Sequence, residues 1–309
     1  MAYDLIGDIH GCADELTALL GKLGYRKTNN AYRHPERRVV FLGDYIDRGK
    51  QNKQTLSIVR SMVEAGSAIA IAGNHEYNAL CYHTRHPQTG QYLRPHTDKN
   101  IRQHQSFLNE FNQDDDGLKS TIEWFSQLPL YLDLGEVRVV HACWHPEKIS
   151  ELETLGFTNS LNDELLLASC RKDSQEYRII ETLLKGTEVD LPSGSSFLDK
   201  DGHERREIRT KWWQSKADTY REAALLSESE LSRIPDDPFP EDELIGYSYD
   251  APAVFFGHYW LQGQPSVFNQ NIACLDYSVG KPGGALCCYR WSGESQLSNE
   301  NFVRVPRKN

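Results

Sequence analysis

Five apolar, β-favouring runs in this chain each end abruptly in a short polar loop bearing a carboxylate, an imidazole or an amide. The runs cover residues 3–6, 38–42, 68–72, 137–140 and 253–256, and just beyond them stand Asp8 and His10, Asp44, Asn74, His141 and His258. A continuous apolar strand is covered on both faces, so it belongs in a sheet flanked by other layers. Side chains at the ends of such strands gather along one edge, where open α/β sheets place their ligands. The pattern constrains the architecture and the chemistry together.

The segments between the runs read as helices. Residues 12–23 carry Leu16, Leu19, Leu20 and Leu23 at helical spacing, with Gly24 as a stop. Residues 55–64 place Leu56, Val59, Met62 and Val63 on one face before Gly66. Residues 81–98, rich in His, Pro and Gly, read as loop, and helices are expected over 101–111 and 120–128. Strand signals return at 272–275 and 285–291.

From 150 to 249 the character changes. Helical stretches at 162–170 and 175–184 give way to a Gly/Ser turn at 192–196, a highly charged run at 199–211 and an acidic loop at 236–242. The expectation is one domain over 1–309, of which 150–249 forms a mostly helical insertion or lid near the active site.

Charge narrows the partners. The 34 Lys+Arg against 44 Asp+Glu leave a net charge of -10, which disfavours a nucleic-acid backbone and an anionic membrane, and which bound cations would partly offset. No run approaches the roughly 20 apolar residues of a membrane span. The start of the chain lacks a basic, then apolar, leader. Seven cysteines without CxxC spacing argue against a disulfide framework and for a reducing cytoplasm. Cys287 and Cys288 are neighbours on an expected strand and point to opposite faces.

Two divalent cations about 3.5–4 Å apart need a bridging carboxylate and further imidazole, amide or carboxylate ligands, with room for water and substrate. Asp8 and His10, two apart in one loop, suit one ion. Asp44 is the natural bridge. Asn74, His141 and His258 suit the second ion. Gly7, Gly43, Gly73 and Gly257 each precede a proposed ligand by one residue, where a missing Cβ lets the backbone turn closely.

The blocks Gly-Asp-Ile-His-Gly at 7–11, Gly-Asp-Tyr-Ile-Asp-Arg-Gly at 43–49 and Gly-Asn-His-Glu at 73–76 resemble the signature of the calcineurin-like metallophosphoesterases. More narrowly, they resemble the phosphoprotein-phosphatase branch, with its bacterial Ser/Thr phosphatases and symmetrical diadenosine tetraphosphatases. Residues 121–131, leading to His141, and the tail 274–286 are similar to the bacterial members. The resemblance implies an α/β fold, a β-sandwich flanked by helices in an α-β-β-α arrangement. It puts Asp8, His10 and Asp44 on the first metal and Asp44, Asn74, His141 and His258 on the second. A hydroxide between the ions would attack phosphorus in line with the leaving oxygen. His75 would protonate that oxygen, Asp47 would orient His75, and Arg48 would clamp the phosphate. Asn74, His75 and Asp276, at the family's C-terminal acidic position, would also border the substrate. Mn²⁺ is the expected metal, with Fe and Zn equally suited to the ligand set.

The expected reaction is phosphomonoester hydrolysis of a phosphorylated protein or a small phosphate compound. Alternatives are a dinucleoside polyphosphate hydrolase or a nucleotide or RNA-end phosphatase, for which Trp144, Trp212, Trp213 and Trp260 could stack bases. A non-catalytic module is disfavoured by the intact ligand set. Residues 259–263, Tyr-Trp-Leu-Gln-Gly, depart from the Ser-Ala-Pro-Asn-Tyr run of the eukaryotic phosphatases and argue against that type. The family's second phosphate-binding Arg has Arg205, Arg206 and Arg209 as candidates. Glu76 reads as a local cap, Cys143 as a buried small side chain, and His83, His86 and His96 as solvated.

Overall fold

The computed structural model describes residues 1–198 and 202–308; positions 199–201 of the charged run, and Asn309, lie outside the described residues. The chain divides into two compact units, Met1–Leu184 with Pro252–Asn309, and Lys185–Ala251.

The first unit opens with β1 (Ala2–Ile6), α1 (Ala13–Lys22), β2 (Arg26–Thr28), β3 (Ala31–Arg33), β4 (Arg37–Phe41), α2 (Asn52–Glu64), β5 (Ala68–Ala70) and α3 (Asn74–His83). There follow α4 (Asp98–Phe111), α5 (Asp115–Gln127), β6 (Tyr131–Asp133), β7 (Val137–Val140), α6 (Pro146–Thr154), α7 (Asp163–Ser169) and α8 (Gln175–Lys185). The second unit holds β8 (Glu188–Asp190), β9 (Phe197–Leu198), β10 (Glu204–Arg205), β11 (Glu207–Arg209), α9 (Tyr220–Ala223) and α10 (Glu228–Leu231). The first unit then resumes with β12 (Ala253–Phe256), β13 (Ile272–Cys274), β14 (Asp276–Tyr277), β15 (Ala285–Trp291) and β16 (Phe302–Pro306).

Two sheets form a β-sandwich. One runs β14-β15-β1-β4-β5, with β16 also on β15; the other runs β13-β12-β7-β6. β1, β4 and β5 are parallel, as are β7, β12 and β13, so the carboxyl ends of the strands within each set point one way. Leu5, Val40, Val139, Phe255, Ala273 and Tyr289 pack between the sheets. Each fully buried Leu or Phe there contributes about 1.5–3 kcal/mol. On the outer side of the first sheet, buried Asp4 accepts from Arg37 Nε at 2.9 Å and Arg290 Nε at 3.0 Å. That carboxylate ties β1 to both of its neighbours.

The expected insertion differs in character along its length. Residues up to Leu184 are helical and belong to the first unit. The second unit mixes strands of two or three residues with one-turn helices around its own core of Val189, Ile208, Tyr220 and Ile234. Strands that short show no readable alternation. All seven cysteines are free, and Cys81 and Cys170 lie with their sulfurs 3.5 Å apart. No helix among the described residues is long and apolar enough to cross a membrane.

Candidate metal centre

The loops leaving β1, β4, β5, β7 and β12 bring the six proposed ligands together. His10 Nε2 lies 3.7 Å from Asp44 Oδ2 and 3.9 Å from Asp8 Oδ2. His141 Nε2 lies 3.4 Å from Asp44 Oδ1 and 3.2 Å from Asn74 Oδ1, and His258 Nδ1 lies 2.8 Å from that same amide oxygen. Two groups of donor atoms result, one of His10, Asp44 and His75, the other of Asp8, Asp44 and His141. Asp44 belongs to both, and presents a different oxygen to each side.

The backbone bends sharply to achieve this. His10, Asp44, Asp47, Arg48, His258 and Trp260 all have φ between 47° and 73°, a region that L side chains seldom occupy. Such strain collects where surrounding structure holds it for a function. Glycines admit the carboxylates: a Cβ on Gly73 would collide with Asp44 Oδ1, and one on Gly257 with Asp8 Oδ1. Glu76 braces the site from below, accepting from the N–H groups of Asp44, Tyr45 and Gly73 at 2.8–2.9 Å. It is the local cap that its position suggests.

The donor set fits divalent cations. Asp8, His10, Asp44 and His141 are all at most 2 % exposed. Burial and the neighbouring Asp276 push the Asp8 pKa well above its ordinary value. Burial lowers His10 to about 4, so its ring is neutral. His10 Nδ1 lies 3.1 Å from Ile46 O and is assigned the proton; Nε2 is then a buried lone pair with no hydrogen-bond partner. His141 is held the same way, with Nδ1 2.8 Å from Leu42 O. Against the burial that would lower it, the charge of Asp44 raises His141 to about 10. A cation at Asp44 and a proton on His141 Nε2 are thus alternatives for one lone pair. Buried carboxylates facing buried lone pairs call for positive charge between them.

His75 stands at the rim. Its Nδ1 is 2.6 Å from Asp47 Oδ2, which leaves Nε2 facing the centre, 3.9 Å from Asp44 Oδ2. Burial works against its charged form, but Asp44 and the bond to Asp47 prevail and raise its pKa. The sequence reading missed the other partner of Asp47: His104 Nδ1, from α4, lies 2.8 Å from Asp47 Oδ1. His104 Nε2 in turn is 3.3 Å from His83 Nε2. The two imidazoles hold Asp47 well below the usual carboxylate range despite its burial. His83 is therefore partly buried rather than solvated, whereas His96 is exposed and stacks between Tyr82 and Tyr92 with centroids 3.8 and 4.0 Å away.

Trp260 lies against the centre. Its indole stacks on His10 with centroids 4.9 Å apart, and Arg48 Cζ and Lys281 Nζ sit 5.3 and 4.1 Å from its ring centroid. Contacts of this kind fix cations beside the metal loops. Both oxygens of Asp276 are taken up by backbone N–H groups, Ser278 at 2.9 Å and Trp260 at 2.6 Å, so Asp276 anchors Trp260. Trp144, Trp212 and Trp213 are buried in packing and offer no open face. Of the candidate arginines in the second unit, Arg206 pairs with Glu204 at 3.4 Å and Arg209 with Glu188 at 3.3 Å.

The family model for calcineurin-like phosphoesterases matches residues 1–259. The chain belongs to that family. That is a family of phosphoesterases, and the buried donor set at the strand ends suits divalent cations. Among curated relatives, the asymmetrical bis(5'-nucleosyl)-tetraphosphatase PrpE of Bacillus subtilis (strain 168) is 38% identical over 149 residues, 46% of this chain and 57% of that protein. The PrpE of Oceanobacillus iheyensis is 36% identical over 143 residues, 46% of this chain and 55% of that protein. The matches thus span somewhat over half the length of these relatives. A solved protein serine/threonine phosphatase from Saccharomyces cerevisiae shares the fold, with a TM-score of 0.50 and 13% identity over 100% of this chain and 80% of that one.

Proposed function

We propose that this chain cleaves a dinucleoside polyphosphate at a pair of divalent ions held by Asp8, His10, Asp44, Asn74, His141 and His258. The observation that carries the two-ion reading is Asp44, whose two oxygens face two separate groups of buried donors. The ions, proposed as Mn²⁺, would activate a water and offset phosphate charge. The protein supplies the rest. Arg48 presents a planar fork to two non-bridging oxygens, backed by Trp260. His75 offers a proton from Nε2 to the leaving oxygen, while Asp47 fixes its tautomer and, with Asp44, sustains the charged form. The PrpE relatives favour a dinucleotide over the phosphomonoester expected from the motifs. A reducing, cytoplasmic setting is proposed from the seven free cysteines.

The test is a substrate panel with Mn²⁺, Mg²⁺, Zn²⁺ or Fe²⁺ supplied, resolving nucleotide products. Diadenosine tetraphosphate should be the preferred substrate, and its products, ATP with AMP or two ADP, give the cleavage position. Rapid turnover of phosphopeptides with none of the dinucleotide would replace this substrate with a phosphomonoester. Failure on every phosphate substrate in every metal would end the enzymatic reading.

A further inference from the structure

A cleft of about 460 Å³ opens between the loop that carries Arg48 and one face of α4. Its volume is within the usual range for small-molecule sites. The loop contributes Arg48 and Lys50, and α4 contributes Arg102, Gln105, Ser106 and Asn109, which recur at helical spacing on a single face. The other face of α4 carries His104, Phe107 and Phe111 and is buried. One helix thus supports Asp47 from one side and lines an open polar cleft with the other.

The charge of the cleft is distinctive in a chain of net charge -10. Three cationic side chains line it against a single carboxylate, Glu110. That carboxylate is already occupied, since it accepts from the N–H groups of Asn52 and Lys53 at 2.7 and 2.9 Å. Lys50 and Arg102 have no carboxylate within ion-pair distance among the described residues. Arg48 lines the cleft and also touches Trp260, which stacks on the metal-loop imidazole His10.

We infer that this cleft is a subsite for a second anionic group of the substrate, bound by Lys50 and Arg102 while Arg48 grips the reacting phosphate. The inference rests on the proposed role of Arg48. It deepens that reading by giving the phosphates of the polyphosphate beyond the reacting phosphorus a place of their own, at Lys50 and Arg102. Gln105, Ser106 and Asn109 then offer donors and acceptors to the sugar or base.

Calorimetry on the full, Mn²⁺-loaded chain tests this with two probes, inorganic phosphate and a β,γ-methylene analogue of ATP. The double variant Lys50→Gln/Arg102→Gln should weaken the analogue about tenfold, as the loss of two charge-assisted contacts requires. Inorganic phosphate should weaken by less than about twofold, since it reaches only the reacting site. The pair Arg26→Gln/Lys27→Gln on exposed β2 makes the same change in net charge and should weaken the analogue by less than about twofold. Equal loss in this control, equal loss for both probes, or no loss for the analogue would each overturn the subsite. Hydrolysis of p-nitrophenyl phosphate, measured in parallel, separates the two failures. A hydrolytic chain whose analogue affinity ignores Lys50 and Arg102 loses the subsite alone. A chain without hydrolysis in any metal loses the proposed function, and calorimetry still decides the cleft.

Discussion

The metal rim and the unit over Lys185–Ala251 are both rich in charge, and they carry it in opposite ways. At the rim Asp8, Asp44, Asp47 and Asp276 are at most 3 % exposed, and the loops that bear them are bent into unfavourable backbone regions. Burying those groups costs several kcal/mol each unless something positive compensates. In the second unit Arg206–Glu204 and Arg209–Glu188 lie on the surface, where ion pairs contribute about 0–1 kcal/mol. The difference teaches how the two regions hold charge: it is fixed in place at an energetic cost in one and left to water in the other.

The sharpest way to break this contrast is Asp44→Asn. The amide cannot bridge two cations with two anionic oxygens, and loss of the ions removes several kcal/mol of charge stabilisation. Turnover should fall by about a thousandfold or more. Elemental analysis should show fewer than two equivalents of metal; two full equivalents would deny Asp44 its bridging place.

His75→Asn comes next and separates an acid from a ligand. Both roles use Nε2, so activity alone does not distinguish them. As an acid, His75 accounts for about 10²–10⁴-fold on substrates with poor leaving groups, and little on p-nitrophenyl phosphate, whose leaving group needs no proton. Metal content should stay at two equivalents. Loss of one equivalent would make His75 a ligand of the group that it forms with His10 and Asp44.

His104→Gln should cost less, about 10–100-fold, the usual effect of removing an outer-layer partner. Its effect passes through Asp47 to the tilt and charge of His75, so the loss should grow with the leaving-group pKa. An equal loss on all leaving groups would reduce His104 to a packing residue. His83, at the end of this chain of imidazoles, gives a pH test. Burial and the neighbouring His104 and His96 lower its pKa to about 4, partly offset by Asp47. Folded His83 is therefore neutral where the unfolded side chain takes a proton near 6.5, so stability should fall as pH drops from about 6.5 to 4. Melting curves of His83→Gln should show a shallower fall over that window; an equal slope would assign the acid sensitivity to other groups.

These effects also mark how far the sequence could be read. The gathering of these side chains was legible because each proposed ligand sits within a few residues of its strand, so the local pattern carries the long-range one. His104 was missed because its partner is 57 positions away. A signal did exist, since it shares the apolar face of a readable helix with Phe107 and Phe111. The β2–β3 hairpin also had a signal: Asn29 and Asn30, with φ of 48° and 67°, are the residue type that a two-residue hairpin turn favours. The start of α3 was hidden because Gly73, Asn74 and Glu76 read as loop chemistry, whereas Glu76 closes the first turn as its cap. Among the described residues of the second unit no strand exceeds three residues, and its fold rests on a small core with no periodic trace.

The smallest expected effect is the one that most directly tests the second half of the contrast. Arg206→Gln/Arg209→Gln removes two exposed guanidinium groups, each paired with a surface glutamate. The surface reading expects a stability change of about 1 kcal/mol or less per pair. Added salt should shrink even that, because exposed charges are screened beyond about 10 Å at 0.1 M. kcat/KM for diadenosine tetraphosphate should stay within about twofold of wild type, a margin that a rim charge would far exceed. A tenfold fall in kcat/KM with an unchanged melting temperature would make these arginines substrate contacts, and would give Lys185–Ala251 a share in the binding site. The contrast between buried, working charge and solvated charge would then no longer follow the division between the two units.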